Sequence, residues 1–173
     1  MAEFVWFFGA SGAGKATLVN KVGKRQFLIP KIRGELVICS ESLEWGREQR
    51  HTMLEEHLGK YVASELVILI KGQTYDLIAD RTPYKLHENN SAVKQHIVFV
   101  FTKPSQLPSR TEHRSDDYWP NVNHDFVLET TYQITEVGKL CEDLGIEPII
   151  IDNSGQEPLI MNDTKLNDLI RSY

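Results

Sequence analysis

Phe4-Val5-Trp6-Phe7-Phe8-Gly9-Ala10-Ser11-Gly12-Ala13-Gly14-Lys15-Ala16-Thr17 is the stretch that decides how this chain folds. A short apolar run, Phe4 to Phe8, reads as a buried strand. It passes into a loop with glycine at 9, 12 and 14. Beyond the loop, Leu18 and Val22 recur four residues apart, which predicts a helix from Lys15 to about Lys24. A strand, a loop with Gly9 and Gly14-Lys15 at this spacing, and a helix together make a cradle for phosphate groups. Glycines let the backbone wrap closely around an anion. Successive N–H groups then point inward as a nest, and the helix N-terminus adds partial positive charge. Lys15 supplies a full charge that can reach the outer phosphates. The common pattern has Ser or Thr directly after the lysine. Here Ala16 stands there, so the usual hydroxyl ligand of Mg2+ is missing, and Thr17 follows it.

Working outward, four more apolar runs read as strands: 35–39, 65–70, 96–101 and 148–151. They are short, rich in β-branched residues and not alternating, as expected for parallel strands covered on both faces. Helical periodicity fills the gaps. Met53, Leu54, Leu58, Tyr61 and Val62 form a stripe within 47–63. Val127, Ile134, Val137, Cys141 and Leu144 form another within 125–144, stopped by Gly145. A weaker helix is expected over about 73–79, ending before Pro83, and a short one around Leu166, Leu169 and Ile170. Strands alternating with helices predict a parallel α/β sheet with right-handed crossovers. The stretch 102–124 holds Pro104, Pro108 and Pro120 among many charges. It is expected to be the least structured part of a single domain spanning 1–173, and to serve as a lid.

The loop Gly9–Thr17 resembles the phosphate loop of adenylate and cytidylate kinases, which also place a small residue and then Thr after the lysine. The resemblance implies a P-loop nucleotide-binding fold. This is a three-layer α/β sandwich whose five-stranded parallel sheet has the order 2-3-1-4-5. It implies ATP as the nucleotide, held by Gly9, Ser11, Gly12, Ala13, Gly14, Lys15, Ala16 and Thr17. It also implies Mg2+ held largely through water, with Thr17 and an acidic residue ordering it. Many P-loop enzymes end the third strand with that acid; this chain has Lys71. Asp76, Asp80 and Glu41 are the candidates to replace it, Asp76 first. Asp152, Asn153 and Ser154, after the last strand, resemble the loop that packs beside adenine.

Arg110 and Arg114 are four apart, so on a helix they share a face. Two guanidinium groups can clamp a transferring phosphoryl group and offset its developing charge. Their segment resembles the arginine-bearing lid of small P-loop kinases, and Lys15, Arg110 and Arg114 are the expected catalytic residues. On the acceptor side, Arg47 and Arg50 are three apart and suited to an acceptor phosphate. Lys71 and Gln73 flank Gly72, where the backbone allows close approach, and complete the expected acceptor pocket.

Whole-chain properties exclude other classes. The net charge is −5, which argues against a general nucleic-acid binder. The two cysteines, Cys39 and Cys141, form no CxxC pair and read as reduced, buried spectators. The six histidines show no metal-ligand spacing; His51 and His57 lie six apart, and His113 and His124 flank the long loop. No stretch reaches the length of a membrane span, no basic-flanked leader opens the chain, and a cytoplasmic location is expected. GTPases read guanine through an NKxD-type segment, and Thr102-Lys103-Pro104 is the nearest approach, without the Asn and Asp. The expected activity is transfer of the ATP γ-phosphate to a small acceptor, such as a nucleoside monophosphate. A regulatory nucleotide-binding protein with little turnover, and an ATPase, are the alternatives. Ala16 and Lys71 favour the regulatory reading; the paired arginines favour the enzyme.

Overall fold

The computed structural model describes residues 1–44, 56–72, 81–112 and 124–173. The strands are β1 (Glu3–Phe8), β2 (Leu36–Ile38), β3 (Val67–Lys71), β4 (Lys94–Phe101), β5 (Ile149–Asp152) and β6 (Leu159–Ile160). The helices are α1 (Lys15–Gly23), α2 (Ser40–Glu44), α3 (Thr82–Asn89), α4 (Leu107–Thr111), α5 (Phe126–Leu144) and α6 (Leu166–Ile170). Residues 56–59 are also helical.

The sheet runs β2-β3-β1-β4-β5-β6. Its first five strands are parallel and hold the expected 2-3-1-4-5 order. The sixth, antiparallel to β5, was not anticipated. It is two residues long, too short to leave a periodic signal. β1 lies at the centre, in register with β3 from Glu3↔Val67 and with β4 through Phe8↔Phe99. A central parallel strand must be apolar on both faces, and β1 is. Phe4, Trp6 and Phe8 pack with Ile134, Val137 and Leu140 of α5, while Val5 and Phe7 pack with Leu18, Val19 and Val22 of α1. The five apolar side chains of β1, Phe4 to Phe8, are essentially fully buried, and burial of a large apolar side chain contributes about 1.5–3 kcal/mol. The Trp6 indole N–H is satisfied in this core, donating to Gln95 Oε1 at 2.8 Å.

Several expectations need correction. One helix was not anticipated: α3 begins at Thr82 with Pro83 in its first turn. Proline is welcome there because the first N–H groups of a helix have no internal partner. Of the helix expected over 47–63, residues 56–59 are helical, 60–63 form turns, and 45–55 lie outside the described residues. The helix expected over 73–79 lies outside them too. The first half of 102–124 is not an irregular polar loop. Pro104–Gln106 forms a 3-10 turn that runs into α4, with Pro104, Leu107 and Thr111 buried. Residues 113–123, where the rest of the expected lid falls, are outside the described residues.

Candidate phosphate-binding site

The site forms at the carboxyl end of β1, where open parallel sheets place their ligand crevices. Gly9 leaves the strand with φ 153°, and a Cβ there would lie 2.4 Å from the Val100 carbonyl oxygen of β4. Only glycine lets the loop pass this close to the neighbouring strand. Gly14 ends the loop at φ 95°, immediately before α1, against the side-chain amide of Asn153. The loop therefore turns into the helix start with its backbone fitted against the β5 side of the site.

Three braces hold the loop. The first is on the Ala13 carbonyl, which accepts from Thr102 Oγ1 at 3.1 Å and from Asn153 Nδ2 at 2.8 Å. The second is Arg110, whose guanidinium donates to Thr102 Oγ1 at 2.9 Å and to the Asn153 carbonyl at 2.7 Å. Around it, Lys103 N–H donates to Ser154 Oγ, and Ser154 N–H donates to Asp152 Oδ1, each at 2.9 Å. The third brace is Glu129, in the first turn of α5. Its Oε1 accepts from Ser11 N–H at 3.0 Å and Ser11 Oγ at 2.9 Å, and its Oε2 meets His124 Nε2 at 2.6 Å. Glu129 is only 5% exposed, and these partners satisfy its buried oxygens.

Lys15 is 5% exposed and lies across the loop, with its ammonium donating to the Gly9 carbonyl at 2.7 Å and to the Ala10 carbonyl at 3.2 Å. The resulting cleft, about 250 Å³, is lined by Ser11, Gly12 and the run Gly14 to Thr17, together with Lys71 and Arg110. Its described lining carries three cationic side chains and no carboxylate. That is the electrostatic complement of a polyphosphate. Ala16 lines it without a hydroxyl, and Thr17 lines it with one.

The structure brings together the residues expected at the phosphates: Ser11, Gly12, Gly14, Lys15, Ala16 and Thr17, with Gly9 and Ala13 behind them. It adds Lys71, expected on the acceptor side, to the same cleft. Asp152, Asn153 and Ser154 sit beside the loop, though Asn153 and Ser154 serve first as braces. Glu41, a candidate metal carboxylate, is not in the lining; it faces His57 Nε2 at 3.2 Å. Arg47, Arg50, Gln73, Asp76, Asp80 and Arg114 lie outside the described residues. Thr102, His124 and Glu129 were missed. Thr102 carried a usable signal, since it directly follows β4 at the ligand end of the sheet. Glu129 carried none: an acid in a first helical turn is ordinary on dipole grounds alone.

With the geometry in hand, comparison with solved structures shows a fold shared with kinases of the P-loop type. A chain from the PezAT chromosomal toxin–antitoxin system of Streptococcus pneumoniae matches with TM-score 0.61 and 21% identity, covering 99% of this chain and 78% of that one. Deoxyadenosine kinase from M. mycoides, solved with bound dATP, matches with TM-score 0.54 and 14% identity, covering 98% and 97%. The same enzyme with dCMP and dCDP matches with TM-score 0.51 and 14% identity, covering 98% and 95%. No family model and no curated protein matches the sequence. Among the described residues, no helix is long and apolar enough to cross a membrane.

Proposed function

We propose that this protein is an ATP-dependent phosphotransferase that moves the γ-phosphate of ATP to a small acceptor, with a nucleoside monophosphate as one candidate. The observation that carries the reading is the cleft itself. A glycine loop at the start of a helix faces a space into which Lys15, Lys71 and Arg110 also project. In this reading the loop N–H groups cradle the phosphates and the three cations offset their charge. Phosphoryl transfer asks little more of a protein than positioning and charge stabilisation. Arg110 holds Thr102 and Asn153 in place and presents the rest of its guanidinium to the cleft. Arg114, four residues further on in the sequence, is proposed as its partner on the transferring group. Arg47, Arg50 and Gln73 are proposed for the acceptor, and Asp152–Ser154 for the base.

The resemblance of the loop to adenylate and cytidylate kinases implies Mg2+. Thr17 fits as the hydroxyl nearest the phosphates. The described lining offers no carboxylate, so the ion would rest on phosphate oxygens and water, with Asp76 the proposed acid. A bound Mg2+ would supply positive charge that offsets the charge of the phosphates.

A second reading, a regulatory nucleotide-binding protein with little turnover, draws on Ala16 and on Lys71 at the end of β3. Label transfer separates the two. The protein is incubated with γ-labelled ATP, Mg2+ and a panel of nucleosides, nucleoside monophosphates and other small hydroxyl compounds. Label moving to one acceptor supports the kinase. Label released only as free phosphate indicates an ATPase. Tight ATP binding with neither outcome supports the regulatory protein.

A further inference from the structure

Cys39, Glu41 and His57 are scattered in the sequence and meet in the fold. Cys39 extends the β2 ladder, its N–H donating to the Leu69 carbonyl at 2.8 Å. Its own carbonyl is fixed by Ser42, which donates from N–H at 3.0 Å and from Oγ at 2.6 Å. The backbone that carries the thiol is thus fixed, and the residue is 0% exposed. Glu41 stands in the first turn of α2, with Oε2 3.8 Å from Cys39 Sγ and 3.2 Å from His57 Nε2. The His57 ring is set edge-on to Tyr61, with centroids 5.8 Å apart at 70°. The three donor atoms all lie within 4.8 Å of one another.

We propose that Cys39, Glu41 and His57 form a binding site for a divalent transition metal ion of the zinc type, distinct from the Mg2+ of the phosphate cleft. A tetrahedral zinc ion with a thiolate at about 2.3 Å and N or O donors at about 2.0–2.1 Å places neighbouring ligands about 3.3–3.6 Å apart. The separations of 3.2 and 3.8 Å bracket that range before any ion draws them together. Thiolate, imidazole and carboxylate select a borderline-soft ion; Mg2+ and Ca2+ take oxygen donors. Binding sends the thiol proton to solvent and joins the metal to Cys39 as thiolate. Three protein ligands leave a fourth position for water. The site is linked to the phosphate cleft by one relay: Ser42 Oγ, which donates to the Cys39 carbonyl, accepts from the backbone N–H of cleft-lining Lys71 at 3.0 Å. The proposal stands whether or not the protein is a kinase.

The test is titration of chelator-stripped, reduced full-length protein with Co2+, followed by competition with Zn2+. The expected result is saturation at one equivalent, with the intense visible bands of tetrahedral cobalt and a near-ultraviolet thiolate charge-transfer band. Zn2+ should displace the cobalt, and millimolar Mg2+ should not. Cys39→Ser should lose the charge-transfer band, while Cys141→Ala should keep it. Glu41→Gln and His57→Gln, checked for folding by circular dichroism, should weaken Zn2+ binding about tenfold or more. Wild-type protein that takes up no stoichiometric cobalt, or takes it up without a thiolate band, overturns the proposal. So does a folded Cys39→Ser protein with an unchanged spectrum. If the variants fail to fold, the wild-type and Cys141→Ala spectra decide.

Discussion

The Lys15 ammonium lies across the loop on the Gly9 and Ala10 carbonyls, buried and close to where phosphate oxygens would sit. Charge-assisted hydrogen bonds contribute about 1.5–3 kcal/mol each. Lys15→Ala should therefore weaken ATP binding about ten- to a hundredfold in calorimetric titration, with the far-ultraviolet circular dichroism spectrum unchanged. Gly9 is constrained by backbone rather than by charge. An alanine Cβ would lie 2.4 Å from the Val100 carbonyl oxygen, which belongs to the sheet and cannot swing away. Gly9→Ala should cost at least about 1–3 kcal/mol of stability, read as a lowered urea midpoint. Both residues were legible in the sequence, because motif spacing encodes local backbone geometry. Glu129 was not. It reaches Ser11 across 118 positions of sequence, and no local pattern records so distant a partner.

At the scale of elements, the long periodic segments were legible and the short ones were not. α5 has 19 residues, enough turns for an apolar stripe to show. α4 has five, and its Leu107 and Thr111 are buried by tertiary contact rather than by any pattern of their own. That short helix turns Arg110 back onto the loop that carries Asn153 instead of leaving it on an irregular stretch. Arg110→Ala should release Thr102 and Asn153 from their brace and so raise the ATP dissociation constant about tenfold, roughly 1.4 kcal/mol. Arg110→Lys should recover only part of this in the same titration, because an ammonium lacks the planar fork that reaches both oxygens. α5 begins with Asp125, whose Oδ1 accepts from Leu128 N–H at 3.0 Å. Asp125→Ala should cost about 0.5–2 kcal/mol in urea unfolding, and this cap also steadies the turn that carries Glu129.

Across the whole molecule, hydrophobic patterning predicted the parallel α/β sheet, while its strand order was legible only through the resemblance of one loop to adenylate and cytidylate kinases. The sheet buries the central strand on both faces and leaves its carboxyl ends for the site. The same packing encloses Cys141, whose thiol is pushed up to about 12, by burial first and then by the charge of Glu147. In the unfolded chain the thiol ionises near its ordinary value of 9.0. The folded state thus holds the extra proton between these values, and stability falls as pH rises through that window. Urea unfolding of wild type at rising alkaline pH should show an added loss of up to about 1.4 kcal/mol per pH unit that Cys141→Ala lacks. In the proposed complex a nucleotide sits with its phosphates on Gly9–Thr17 and its base beside Asp152–Ser154. Backbone amide NMR during titration with Mg2+ and ATP tests it most directly. The predicted result is saturable shifts concentrated at the Gly12, Gly14, Lys15, Ala16 and Thr17 amides and at Asn153 and Ser154, with Lys15→Ala needing far more ATP. Loop amides that do not move at millimolar ATP, or shifts centred elsewhere on the molecule, would contradict it.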